Sequence, residues 1–323
     1  METSKRAKTE QEIADEKLRE AALQAYIDRV TDILMNSERW SELFSEENET
    51  NTIYVVRLIT TTILRRLEND TKRQGYVLSF LSDALLLEFI LCGAKLNDVN
   101  LSFTNLSNAN LSFANLVRAN LSGTKGACAN LSDANLSGAN LRGVYFIFAN
   151  FSSTNLSGAN LECADLSNAC LVRANLLDVN LSGADLSRAN LNGANLIFAN
   201  LLDANLSFAN LEGANLSRTN LSFANLKNVN LEGASFENAN LEGVNLFGAN
   251  LEDANFVDAN LSFANLSFAN LSDANLSRAN LEGADLTNVK SLTVEQIKTA
   301  SNWEAGKYDN ELGEVLGLSP ETP

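Results

Sequence analysis

The stretch Ala109-Asn110-Leu111-Ser112-Phe113-Ala114-Asn115-Leu116 decides the fold, because its five-residue phrase, Ala-Asn-Leu-x-x, runs almost unbroken from about residue 91 to residue 290. Leu fills nearly every position ending in 1 or 6, and Phe replaces it at Phe146, Phe151, Phe236 and Phe256. Two residues earlier stands a small residue, usually Ala, elsewhere Val144 or Thr104. Residues two apart in an extended chain share a face, so the small and the large residue point inward together. Five is odd, however, and an unbent strand would turn the next Leu outward. The chain must therefore bend once per unit. Asn, just before the Leu, is expected to make the bend, since it tolerates unusual backbone angles and bonds to neighbouring backbone groups. A helix is excluded, because a five-residue period would sweep around its surface instead of holding one stripe. The expected product is a mainly β solenoid of short extended sides joined by turns.

Each unit removes one Leu or Phe from water, worth roughly 1.5–3 kcal/mol before ordering costs. One central position is broken, at Gly126 within Thr124-Lys125-Gly126-Ala127-Cys128. Glycine in extended structure often marks a bulge, which is the expectation here, with a loop offered to a partner as the alternative.

The Ala-(Asn/Asp)-Leu-x-x run resembles the pentapeptide-repeat proteins. The resemblance implies a right-handed quadrilateral β-helix with four units per coil. On that geometry residues 91–290 make about ten coils, a rod ~48 Å long at ~4.8 Å per stacked strand. It divides the chain into an α-helical N-terminal domain over 1–90, the β-helix over 91–290, and a C-terminal helical cap and tail over 291–323.

Composition narrows the function classes. The 323 residues contain no histidine, which removes the commonest general base and metal ligand. No glycine-rich phosphate loop or nucleophile elbow is present, so catalysis, cofactors and metal binding are not expected. The cysteines Cys92, Cys128, Cys163 and Cys170 show no metal-ligand spacing and read as free thiols. The start, Met1-Glu2-Thr3-Ser4-Lys5-Arg6, does not read as a signal peptide. The best apolar stretch, Ile53 to Leu67, carries Arg57, Arg65 and Arg66, so no membrane span is expected and the cytoplasm is the expected location.

Solenoid ends need caps. A first helix is expected from about Thr9 to Asn36, with Ile13, Leu18, Leu23, Ile27, Val30 and Leu34 as its apolar stripe. A second runs from Asn51 or Thr52 to Leu67. A third opens on Thr71-Lys72-Arg73-Gln74, read as a capping box, and leads toward Leu85-Leu86-Leu87. Arg57 to Leu87, with Leu64-Arg65-Arg66-Leu67 and Gly75-Tyr76-Val77-Leu78-Ser79-Phe80-Leu81, is similar to the helical domain before many cyanobacterial pentapeptide repeats. After the repeats, Thr293 and Gln296 are spaced as a capping box, followed by Ile297, Ala300, Trp303 and Tyr308, then Leu312, Val315 and Leu316. This segment resembles the family's terminal helix, which either plugs the last coil or mediates a homodimer.

Function must live on outward positions. In steps of twenty, Glu212, Glu232 and Glu252 fall on one line with Asp253 beside the last, a solvated face by default and a candidate acidic stripe for a basic partner as the alternative. Leu177 and Ile197 share another line, with Phe198, Leu202 and Phe208 placed close by as a candidate apolar partner surface. The alternative to a protein contact or self-association there is that Phe198 and Arg218 form a self-contained cation–π pair. Further outward Phe occur at Phe103, Phe113, Phe148, Phe223, Phe263 and Phe268. The resemblance also suggests DNA mimicry against gyrase. Residues 91–290 hold 17 acidic and 10 basic residues, net −7 of the chain's −16. Duplex DNA carries about 28 charges over ~48 Å. The favoured expectation is thus a non-enzymatic scaffold whose helical domain or apolar patch binds an unidentified protein, with a topoisomerase-directed DNA mimic as the alternative. Direct nucleic-acid binding is disfavoured, since no basic stripe exists.

Overall fold

A computed structural model describes residues 2–35, 51–67, 70–84 and 86–318. The elements are α1 (Glu2–Met35), α2 (Asn51–Arg66), α3 (Thr71–Asp83), α4 (Leu87–Ile90), the solenoid, then α5 (Val294–Thr299), a 3-10 turn (Trp303–Ala305) and α6 (Asn310–Leu316).

In the solenoid the chain pairs with itself every twenty residues, in parallel, through one bridge residue per five-residue unit, from Lys95↔Asn115 to Asn270↔Lys290. Twenty residues therefore make one coil. The extended sides are shorter than expected, since each is a single bridge residue and the rest of the unit is turn.

The bend is not made by Asn. In the unit at Leu111, the Ala114 amide donates to Leu111 O at 3.1 Å, closing a β-turn around Ser112 and Phe113. Phe113 has φ +59, and the equivalent residue of other units is likewise left-handed, the signature of a type II turn. The second variable residue, at positions ending in 3 or 8, thus absorbs the backbone reversal. Asn instead carries the bridge, and its side chain does two jobs. Asn110 Oδ1 accepts from the Ser112 amide at 3.0 Å, and Asn130 Nδ2 donates to Asn110 Oδ1 of the preceding coil at 3.4 Å. Neighbouring coils are joined by three backbone bonds per unit. Leu111 N donates to Asn130 O at 2.6 Å, Phe113 N to Ser132 O at 3.0 Å, and Asn115 N to Ala94 O at 2.9 Å.

Inside, the Leu and Ala columns are buried as expected. Threonines in the Ala slot keep their hydroxyls satisfied: Thr124 Oγ1 donates to Leu101 O at 2.8 Å and Thr154 Oγ1 to Leu131 O at 2.7 Å. Phe236 and Phe256, one coil apart, stack with ring centroids 4.8 Å apart and planes 2° apart.

Gly126 is not a bulge. Lys125 bridges both Asn105 and Tyr145, and the Gly126 amide donates to Tyr145 O at 2.8 Å, in register with every other unit. The space left by the missing side chain is filled by the ring of Phe146 directly above, which a Cβ on Gly126 would strike.

The helices cover the first coil. α1 buries Leu23, Tyr26 and Val30, but Ile13 and Leu18, expected on the same stripe, are 51% and 60% exposed. Leu18 is exposed because it stands two residues, about 200° round the helix, from both Glu16 and Glu20, which face α3. The Leu34 side chain, Asn36 and Leu85 lie outside the described residues. The cap of α3 is Asp70, whose Oδ1 accepts from Arg73 N at 3.1 Å, rather than Thr71. Gln74 turns inward, and its Nε2 donates to Leu64 O at 2.9 Å.

Arg73 fastens α3 to α1 by meeting Asp70 at 2.6 Å and Glu16 and Glu20 at 2.8 Å each. The hydrogen bond and charge of Arg73 lower the Glu16 pKa. Burial raises that of Asp70, but the Arg73 bonds outweigh it and the net shift is downward. Groups that are stronger acids folded than unfolded stabilise above their unfolded pKa and lose that contribution as pH falls. Acidification below about pH 4 is expected to loosen α1 from α3, seen as an early fall in the far-UV helical signal. The Arg73→Gln variant should lack this step. Persistence of the step in that variant would remove the network as its cause.

Candidate functional site

Outward side chains stand in columns, because residues twenty apart occupy the same slot on successive coils. All eight exposed Phe named above occupy the left-handed turn slot, with φ between 58° and 62°. Bulky residues seldom adopt this conformation, at a penalty of roughly 1–2 kcal/mol.

Three of these rings are explained by their neighbours one coil on. Phe103, Phe223 and Phe263 lie over Gly123, Gly243 and Gly283, where an added Cβ would come within 2.6, 2.7 and 2.7 Å of the ring. Ring and glycine are complementary, so part of each exposed ring is packed against its own solenoid. Gly243→Ala is expected to lower stability by about 1–2 kcal/mol, from its φ of +63 and the overlap with Phe223. Adding Phe223→Ala should recover the overlap part alone. Strictly additive effects in thermal melts of the two single variants and the double would remove the contact as an explanation.

The expected apolar surface is split by the register. Leu177 and Ile197 stack in one column with Phe198 beside them, and Leu202 lies one unit further on. Phe208, ten residues from Phe198, is half a coil away, so the grouping of all five as one patch is corrected. Two of the rings also carry cations. Arg218 lies over Phe198 at 5.5 Å, as the sequence suggested, and Arg188 over Phe208 at 5.4 Å. A further pair, Phe247 and Phe268 with centroids 5.3 Å apart and Lys227 over Phe247 at 5.2 Å, went unnoticed in the sequence.

The acidic stripe keeps its alignment. Glu212, Glu232 and Glu252 stand one above another, with Asp253 beside Glu252, and Asp273 extends the adjoining column. Between Arg173, which lies against Gly193, and Asp253 that column holds Gly193, Gly213 and Gly233, so the carboxylates border a short strip of three glycines. Asn270 Nδ2 donates to Glu252 Oε2 at 3.3 Å and Asn250 Nδ2 to Glu232 Oε2 at 3.5 Å, which spreads some of the like charge into the Asn ladder. Other acids are neutralised within their own columns: Asp98 by Arg118 at 2.7 Å, Glu162 by Arg142 at 3.1 Å and Asp258 by Arg278 at 2.6 Å. The hydrogen bond from Arg118 holds the Asp98 carboxyl down at about 2.

All four cysteines are free, and no group of three or more potential metal-ligating side chains occurs among the described residues. No helix among the described residues is long and apolar enough to cross a membrane.

A five-residue unit, a twenty-residue coil and an Asn ladder define a repeat class, and comparison agrees. Segments 81–112, 104–143, 139–178, 180–218, 214–253 and 254–290 match the family model for pentapeptide repeats (8 copies), and the chain belongs to that family. A search of functionally curated proteins returns no match. Among solved structures the chain is similar to HetL, a pentapeptide repeat protein involved in heterocyst differentiation regulation from the cyanobacterium Nostoc sp. strain PCC 7120. The identity is 35%, over 64% of this chain and 89% of that one, with a TM-score of 0.39. It is similar also to Rfr23 from the cyanobacterium Cyanothece 51142, 43% identical over 29% of this chain and 58% of that one, TM-score 0.21. QnrB1, a plasmid-mediated fluoroquinolone resistance protein, is 22% identical over 56% of this chain and 89% of that one, TM-score 0.33.

Proposed function

We propose that this protein is a non-enzymatic, cytoplasmic scaffold whose right-handed, four-sided rod of about ten coils presents a docking strip to a basic protein partner. The observation behind this reading is the acidic column Glu212, Glu232 and Glu252 beside the glycine strip, whose carboxylates form no salt bridge among the described residues. A flat, negatively charged strip suits a basic segment laid along the rod, with Asp253 and Asp273 at one end. The second candidate surface, Leu177, Ile197 and Phe198, is smaller and partly occupied by Arg218.

The gyrase-directed alternative is disfavoured by the same geometry. A duplex mimic needs acidic columns around the rod, whereas Arg118, Arg142 and Arg278 neutralise acids elsewhere on it.

A triple charge reversal, Glu212→Lys with Glu232→Lys and Glu252→Lys, tests the reading in affinity capture beside wild type and residues 91–323. A protein recovered by both of the latter and lost by the reversal supports the strip. Recovery by all three, or dependence on residues 1–90 alone, would overturn it. Stoichiometric inhibition in a gyrase supercoiling assay would instead favour the alternative.

A further inference from the structure

On one side of the rod the outward slots alternate from coil to coil. The left-handed turn slots read Phe223, Gly243, Phe263 and Gly283, and the slots just before them read Ser222, Glu242, Ser262 and Glu282. Ser222 and Ser262 are buried and glycine has no side chain, so successive coils put forward a ring, a carboxylate, a ring and a carboxylate. Phe223 and Phe263 are 59% and 60% exposed. Each ring leans over the glycine one coil on, and the residue before that glycine is the glutamate. The backbone ties each pair together: Phe223 N donates to Glu242 O at 2.9 Å and Phe263 N to Glu282 O at 2.8 Å. A ring-bearing and a carboxylate-bearing residue thus stand side by side, twice.

Neither pair is answered from within the chain. Glu242 and Glu282 form no salt bridge among the described residues, and the slots that carry the two pairs hold no Lys or Arg. Elsewhere the solenoid sets a cation of its own over an outward ring: Arg188 over Phe208, Arg218 over Phe198 and Lys227 over Phe247. No cation among the described residues lies over Phe223 or Phe263. Phe103 makes the same contact with Gly123, but its amide donates to Ser122 O, so it has the ring without the carboxylate.

We infer that the two pairs bind two arginines of an extended, proline-rich segment of a partner protein, one at Phe223 and Glu242 and the next at Phe263 and Glu282. A guanidinium stacks on an aromatic face while its N–H groups meet a carboxylate, so each pair supplies both of the contacts it favours. Spacing selects the backbone. The pairs repeat every two coils, ~9.6 Å at ~4.8 Å per coil. A polyproline II helix returns to the same face every three residues, a rise of ~9.3 Å. Side chains three or four apart on an α-helix are only ~5–6 Å apart. On a β-strand, residues three apart point to opposite faces. The segment is therefore Arg-x-x-Arg, with proline between the arginines to hold the conformation. The column of Glu212, Glu232 and Glu252 lies half a coil round the rod, so this site is independent of that strip.

The peptide acetyl-Pro-Pro-Arg-Pro-Pro-Arg-Pro-Pro-amide, titrated calorimetrically into the full-length protein, is the test. Saturable binding of one peptide per chain is expected, with a Kd of about 1 mM or tighter. The same composition with its arginines adjacent should bind roughly tenfold more weakly, because only one of them reaches a pair. Glu242→Gln with Glu282→Gln should weaken binding roughly fivefold to tenfold, and Phe223→Ala should weaken it as well. Phe103→Ala should bind as wild type does, and so should Glu212→Gln with Glu232→Gln. Equal binding of the two peptides, or an equal loss in the Glu212 and Glu232 variant, would mean attraction by net charge alone and overturn the site. Absence of saturation up to about 10 mM would overturn it too. Tighter binding of a helical alanine-based peptide with arginines seven apart, ~10.5 Å, would overturn the extended partner.

Discussion

Gly126→Leu, which restores the residue found in almost every equivalent slot, is expected to destabilise the solenoid by about 3 kcal/mol. A consensus substitution in a repeat protein ordinarily stabilises. Here the backbone raises no objection, since Gly126 has an ordinary negative φ and keeps its bridge. The objection is volume. Phe146, fully buried one coil on, occupies the space a side chain at 126 would need, and it is braced by Phe151 in an edge contact with centroids 5.4 Å apart. A second large residue would force one ring out of its rotamer or the coils apart. The counterpart, Phe146→Leu, should also lose stability, by about 1–2 kcal/mol, because it leaves the glycine gap empty. The two substitutions together should recover most of the loss, since they return an ordinary Leu-on-Leu column. Denaturant melts of the four proteins give the coupling. A Gly126→Leu protein as stable as wild type would mean the core holds room that the packing does not show.

This pair also shows what kind of information the sequence withheld. A single unit read alone makes Gly126 a defect; only the residue twenty positions on makes it half of a compensated pair. The ring-over-glycine contacts of Phe103, Phe223 and Phe263 have the same origin, as does the separation of Phe208 from Phe198. In contrast, the buried Leu and Ala columns and the capping box at Thr293 were legible from residues two to five apart, although the cap of α3 was placed at Thr71 in place of Asp70; the twenty-residue stacking came from the family resemblance. The Asn misreading lies between these cases. Its bond to the nearby amide was foreseen, but the left-handed backbone falls three residues later, where Phe and Arg occur as readily as Asn. The mark of that slot's φ was nevertheless present, since Gly, Asp and Asn, which tolerate a left-handed backbone, together outnumber Phe and Arg in it. Arg57 and Arg65 were read only as charges that spoil a membrane span. Their bonds to the carbonyls of Phe89, Ile90 and Lys95 appear once α2 is laid on the first coil.

Removing residues 291–323 is expected to convert the protein to a species that associates through the exposed end of the rod. The last coil is paired with its cap as though the cap were another coil. Arg278 N donates to Thr299 O at 2.8 Å, Leu281 N to Ser301 O at 3.0 Å, Gly283 N to Ala305 O at 3.0 Å and Leu286 N to Lys307 O at 2.8 Å. The bridges Asn280↔Ser301 and Asp285↔Lys307 continue the ladder with slightly longer spacing. Gln296 Nε2 satisfies the carbonyls of Leu271 and Ala274 at 3.1 and 2.9 Å, and Ile297 is wholly buried. Truncation leaves these groups unpaired beside an open stack of Leu, and an unpaired edge is a template for another copy. Light scattering after size exclusion should show mass rising with concentration for residues 1–290 but not for the full chain. Ile297→Asp, which buries a charge in the plug without shortening the chain, should shift the same way to a smaller extent. If instead the full chain is a dimer and the truncated form a monomer, these residues are an association surface and the plug reading fails.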